Sequence, residues 1–320
     1  MNKCVDPIDE GRACPPLDLR TPSAVLKAGL DLVYTEKKTH KVKGDPLTSH
    51  TNIQRFKDHC GANPAVVSQI WEDLQTTTVP EARIKVLDFS YFLEALNFLC
   101  RCHRESEREA QFDKSPKTLR KWSRCCLMKA QALKAKKIAF PTAEEFGDDV
   151  LIMSVDGTHS LFHEIAHPEF SQNRTCFSHK KKHAGLCYEL GIYESKLIWM
   201  NGSFPAGPND KANFTREGGL RDKLAAMGKK AVGDKGCTGC PNECSTFNAF
   251  DHAAVKAFKS RAQMRHEQFN GMLKEHSSLA DQFRHEQEWF DVAFEAACVI
   301  CQHRMEHGEP LFDLMAGIRI

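Results

Sequence analysis

Two short apolar runs in this chain each stop on an acid. Residues 150–155 end at Asp156, and residues 230–233 end at Asp234. Runs of this length, rich in Val and Ile and closed by a polar residue, read as buried strands, and each then delivers a carboxylate at its carboxyl end. Between them, residues 185–192 and 196–201 carry two more strand patterns, followed by a helical stretch over 211–227. After an irregular loop bearing Cys237, Cys240 and Cys244, helical periodicity resumes over 253–275 and again over 286–304, where Phe290, Phe294 and Val299 fall on the amphipathic pattern. The order from residue 150 onward is strand, strand, strand, helix, strand, helix. That order predicts an α/β unit with acids at strand ends.

The first 145 residues read as helices. Ile53, Phe56 and Cys60 form one apolar stripe, Gly61 and Asn63 interrupt it, and Val67, Ile70, Trp71 and Leu74 resume it. Asn63 is suited to cap the second helix with Pro64 in its first turn, which gives the outline of a helix-turn-helix. Phe92, Leu96, Leu99 and Cys100 mark a further helix, a capping box is expected from Ser106 to Glu109, and Ser115 with Pro116 opens a longer helix. On it Leu119, Trp122, Cys126, Ala130 and Leu133 share one face. Residues 101–137 hold twelve lysines and arginines against four acids, a local net charge of +8 in a chain whose formal net charge is +2. Such a concentration suits a phosphate-binding surface, and it also suits an ordinary solvated helical face. Three units are expected: a partly flexible segment over 1–45, a helix-turn-helix-like region over 46–145, and a catalytic domain over 146–320. No run approaches the ~18–20 apolar residues of a membrane-spanning helix, and residues 1–16 hold acids and prolines where a secretory signal has an apolar core. A soluble intracellular protein is expected, with most of its 14 cysteines as free thiols.

Acids at strand ends with a third on a later helix form an oxygen-only constellation, the kind that holds Mg²⁺ or Mn²⁺. Four blocks sharpen this: Asp156-Gly157-Thr158-His159; the segment from Phe204 through Pro205-Ala206-Gly207-Pro208-Asn209 to Asp210; Gly233-Asp234-Lys235-Gly236; and the stretch from Arg265-His266-Glu267 to Lys274. In order and spacing they resemble the blocks of Harbinger-type DDE transposases, over about residues 150–315, and the preceding helical region is similar to the helix-turn-helix part of that family. The resemblance implies an RNase H-like fold with Asp156 on the first strand, the second acid at the end of the fourth strand, and the glutamate on a following helix. On that topology Asp234 is the second acid, with Asp210 kept as the alternative or as a helix cap. Cys237 departs from the family, which usually carries an aromatic there.

The third acid is Glu267. At 100° per residue the apolar centre of its helix runs through Phe258, Ala262, Phe269 and Leu273, and Glu267 falls nearly opposite, among Lys256, Gln263, Asn270 and Lys274. An exposed glutamate beside lysines is ordinary. Here it also suits a wet, basic cleft for a nucleic-acid backbone.

A rival motif is His163-Glu164-Ile165-Ala166-His167, which matches the HExxH zinc-peptidase pattern. Pro168 follows the second histidine and disfavours helical geometry there, and Phe170 stands where the extended motif requires Gly. The pairs Cys237/Cys240 and Cys298/Cys301, with Cys244 and His303, suit a structural zinc, but 57 residues separate Cys240 from Cys298. Ribbon sites use ~15–20. Buried apolar Cys298 and Cys301 and free loop thiols are the preferred reading.

The expected activity is metal-dependent DNA cleavage by Asp156, Asp234 and Glu267 with two Mg²⁺ or Mn²⁺ ions, and joining of the resulting 3′-hydroxyl to target DNA. The expected DNA contacts are Lys117, Arg120, Lys121, Arg124, Lys180, Lys181, Lys182 and Lys274. The resemblance implies double-stranded DNA as partner, a homo-oligomer on DNA, a Myb-like partner protein and a nuclear location, with no membrane association. A transposase-derived DNA-binding protein that no longer cuts is the alternative.

Overall fold

The computed structural model describes residues 21–33, 49–77, 88–162, 176–178, 182–207, 210–234, 237, 239–285 and 287–314. Seven helices come first: α1 Pro22–Val33, α2 His50–Cys60, α3 Pro64–Thr76, α4 Phe89–Arg101, α5 Glu105–Phe112, α6 Pro116–Ala132 and α7 Lys134–Lys137. Their starts are written in the sequence. Asn63 Oδ1 accepts the Val66 N–H at 2.9 Å ahead of Pro64, and Asp88 Oδ1 accepts from Ser90 at 2.7 Å. Gly61 ends α2 at φ +75°, and a Cβ there would meet His276 Nε2 at 2.9 Å, so that turn needs glycine twice over. The capping box expected at Ser106 forms two residues earlier: Glu107 reaches back to the Arg104 N–H at 2.9 Å. Arginine has no acceptor, so only that half of the box can exist.

The remainder is a sheet covered on both faces. The strands are β1 Leu151–Leu161, β2 Phe177–Ser178, β3 His183–Tyr193, β4 Lys196–Pro205, β5 Lys230–Val232 and β6 Cys244–Ser245. The spatial order is β4-β3-β1-β5-β6, with β2 pairing the first residues of β3. β1, β3 and β4 form an antiparallel set, whereas β5 runs parallel to β1 and β6 parallel to β5. β3 is buried along nearly its whole length, as a central strand with layers on both sides must be. Its Leu186, Tyr188, Leu190 and Ile192 join one core cluster, while Met153 and Val155 of β1 join another with Phe214, Leu220 and Leu224.

Two expectations are corrected by these elements, and a third element has no sequence signal. β1 continues through Asp156 to Leu161 instead of ending at the acid, because each of these residues pairs with β3 and the polar side chains of Thr158 and Ser160 are buried in turn. The helix expected over 211–227 is two short ones, α8 Asp210–Phe214 and α9 Leu220–Met227, with Gly218 at φ +69° in the turn between them. β6 has no sequence signature, since two residues make no periodicity, and only its pairing with β5 creates it.

Helices α10 Ala253–Lys274, α11 Ser277–Ala280 and α12 Gln287–Glu306 complete the described elements. α12 is the axle. Ala296 through Cys301 are all fully buried, and α12 packs on α3, α6 and α7 on one side and β4 on the other. One core cluster therefore runs from Val25 to Leu311, through both the helical region and the sheet region, so residue 145 divides the element types without dividing the core. Cys298 and Cys301 are part of that core, as expected, and the described cysteines are free thiols. No helix among the described residues is long and apolar enough to cross a membrane.

Candidate active site

Parallel β1 and β5 pair at Ser154–Val232, after which β5 stops. Asp156 and Asp234 each lie two residues beyond that paired position, so the two acids sit at the same level, Asp156 within β1 and Asp234 just past the end of β5. Period-two alternation then sets the face: Ser154, Asp156, Thr158 and Ser160 point the same way from β1. That face is covered by α10. Ser154 Oγ lies 3.3 Å from His266 Nδ1, Asn270 Nδ2 donates to Asp156 Oδ2 at 3.4 Å, and Thr158 donates to Asn270 Oδ1 at 2.6 Å. Lys274 donates to the His159 carbonyl at 2.7 Å and to Ser160 Oγ at 2.9 Å. At the other end of the same helical stripe, Gln263 reaches the Gly233 carbonyl at 3.5 Å.

Glu267 sits between these anchors, four residues after Gln263 and three before Asn270, on the same side of the helix. One neighbour touches the residue before Asp234 and the other touches Asp156 itself. Glu267 is exposed, and the two aspartates are half-buried. The opposite face of α10 buries Ala262, Phe269 and Leu273, as the apolar pattern required. His266 is also buried, and its burial pulls the imidazole down to about 3, so it is neutral and serves as packing. Asp156 Oδ1 additionally accepts the Gly157 N–H at 2.8 Å, which fixes its rotamer.

Gly233 permits the tight exit of β5. A Cβ there would meet Cys244 Sγ at 2.6 Å and Cys237 Sγ at 3.3 Å. The cysteine loop thus packs directly under the residue preceding Asp234, and Cys237 is buried in it. The thiols of Cys237, Cys240 and Cys244 are not gathered at metal-ligand spacing with any third group; among the described residues only His303, Glu306 and His307 have candidate ligand atoms all within 4.8 Å of one another. That group is already neutralised, since Lys137 pairs with Glu306 at 2.9 Å and with Asp73 at 3.2 Å, and His303 Nε2 lies 3.6 Å from Asp73. Cys298 and Cys301 take no part in it.

Glu189 carries no expectation from the sequence. It stands on β3 opposite Gly157 and is buried, with the Trp199 indole donating to it at 2.9 Å, and together with Asp156 and Asn213 it lines a small cavity around Gly157. Its only signal along the chain is a lone carboxylate inside an apolar strand run.

The expected DNA contacts divide. Lys117, Lys121 and Lys182 are exposed. Arg120 pairs with Glu105 at 2.8 Å, and Arg124 lies 4.0 Å over the Trp289 ring. Lys274 spends its ammonium on His159, Ser160 and the Leu279 carbonyl, which makes it a clamp between α10, α11 and β1. Elsewhere in the basic stretch Lys134 pairs with Glu295 at 2.7 Å and Lys136 with Asp73 at 3.0 Å, and Lys114 pairs with buried Glu94. Much of the +8 thus binds the helical region to itself and to α12. The α2–α3 turn has the expected caps, but the exposed positions of α3 are Ala65, Gln69, Glu72, Gln75 and Thr76, with no cation for a phosphate. Lys180, Lys181, the zinc-peptidase pattern of His163, Glu164 and His167, the side chain of Asp210 and most of segment 1–45 lie outside the described residues.

No protein-family model, curated protein or solved structure matches the chain.

Proposed function

We propose that this protein is a metal-dependent DNA nuclease of the DDE type, with Asp156, Asp234 and Glu267 as its acids. The observation that carries the reading is the placement of α10, which sets Gln263 on Gly233 and Asn270 on Asp156 with Glu267 between them. The strand order β4-β3-β1-β5-β6, with the first three antiparallel and the last two parallel to β1, favours an RNase H-like core. The donor set is oxygen only, which fits Mg²⁺ or Mn²⁺. Two ions about 4 Å apart, each held by part of this set, are what phosphodiester cleavage would use. Divalent ions bound there would supply a water of lowered pKa and a charge facing the leaving oxygen.

The chain's own groups do the rest. Asn270 and the Gly157 N–H orient the Asp156 carboxylate, and exposed Glu267 meets solvent and substrate without a desolvation cost. The substrate is double-stranded DNA, which places the protein in the nucleus, and assembly on two DNA ends calls for a homo-oligomer and a Myb-like DNA-reading partner. The sparse free cations of the helical region support that need for a partner. The test is Glu267→Gln in a duplex-cleavage assay with Mg²⁺ or Mn²⁺, using DNA from the ends flanking the gene. Cleavage should fall by orders of magnitude while DNA binding persists. A variant that cuts as well as wild type removes Glu267 from the site, and a wild type that binds without cutting under either metal leaves the non-cleaving DNA-binding reading.

A further inference from the structure

At the end of β1 away from the acids, a cavity of about 750 Å³ opens between the β3–β4 turn, the first turns of α10 and residues 311–314. This lies within the ~300–1,000 Å³ of small-molecule sites. Its walls are mainly apolar, including Leu151, Phe258, Leu311 and Phe312, and two of the few exposed large hydrophobic residues, Val150 and Val255, stand in its lining. A soluble surface does not ordinarily leave such groups together without a use for them.

Among the described residues one cation lines this apolar space. Arg265 is 3% exposed, and its Nε is buried without a hydrogen-bond partner. Glu194 and Asp313 act on it only through space, and a guanidinium stays charged in a protein. A buried guanidinium nitrogen without an acceptor is costly, because its desolvation is not repaid. An anion entering the cavity gives this guanidinium the counter-charge that it lacks at contact distance. The guanidinium fork matches the two oxygens of a carboxylate. The rim acids Asp149, Glu194 and Asp313 work against a ligand with more than one negative charge.

We propose that this cavity binds a small amphipathic monoanion, its carboxylate on Arg265 and its apolar body along Val255, Phe258 and Phe312. The site is separate from the three acids and does not depend on the nuclease reading.

Decanoate is the probe, with decanol as its uncharged counterpart, titrated into the full chain by calorimetry and read in parallel by thermal unfolding. Decanoate should bind saturably at one site and raise the unfolding temperature. Arg265→Met should weaken decanoate on the order of tenfold while leaving decanol unchanged, Arg265→Lys should recover part of the loss, and Val255→Trp should weaken both by filling the space. Circular dichroism of each variant checks that it folds. Absence of saturable decanoate binding to the wild type overturns the proposal, as does equal binding of decanoate by the wild type and the folded Arg265→Met.

Discussion

Asp156 and Asp234 each stand two residues beyond Ser154–Val232, the last paired position of two adjacent parallel strands. Equal offset on parallel neighbours puts the two residues at the same level of the sheet without any long-range device. A metal titration should therefore separate the acids. Asp156→Asn and Asp234→Asn should each lose most Mn²⁺ affinity in isothermal calorimetry, and Asp210→Asn should keep it. If Asp210→Asn loses binding while Asp234→Asn retains it, the assignment of the second acid is reversed.

Asn270 ties the site together by accepting from Thr158 and donating to Asp156. Asn270→Ala removes one of the hydrogen bonds that orient the Asp156 carboxylate and leaves the buried Thr158 hydroxyl without that acceptor. Metal affinity should fall about 10–100-fold, as for other residues that orient a ligand, and stability by about 1–3 kcal/mol in urea unfolding. Loss of stability with unchanged Mn²⁺ binding would reduce Asn270 to a packing residue.

Three buried histidines set an acid limit. Burial holds His276 and His303 down to about 4 and His266 to about 3, below the ordinary 6.5. Between those values and 6.5 the unfolded chain binds protons that the folded chain refuses. Their contribution is therefore complete above about pH 6.5 and is lost as pH falls toward 4, by on the order of 3 kcal/mol for His276. Urea midpoints from pH 7 to 4.5 should drop steadily in the wild type and more shallowly in His276→Gln. Parallel profiles would show that His276 does not titrate in this window.

The free and committed lysines should behave differently. Replacing exposed Lys117 and Lys121 by Glu should lower DNA affinity and reduce the log–log salt slope, by about 0.9 for each phosphate that is no longer neutralised. The same change at Lys134 and Lys137, which pair with Glu295, Asp73 and Glu306, should instead lower the unfolding temperature. A DNA affinity indifferent to Lys117 and Lys121 would take α6 out of the interface.

Local chemistry is legible along the chain: the Asn63 cap and Gly61 turn, the strands at 185–192 and 196–201, and the face of α10 opposite Phe269 on which Glu267 lies all follow from period, caps and turn residues. So does the candidate set of acids, because each aspartate sits at a fixed offset from an apolar run. Partnership at a distance is not legible there. β6 exists only because β5 pairs with it, the basic stretch loses its free charge to acids on α3 and α12 more than 60 residues away, and Lys274 turns inward to the carbonyls of β1 and α11. Charge and short strands have no period of their own. Their roles are set by which neighbours the shared core around α12 brings within hydrogen-bonding reach, and that is a property of packing alone.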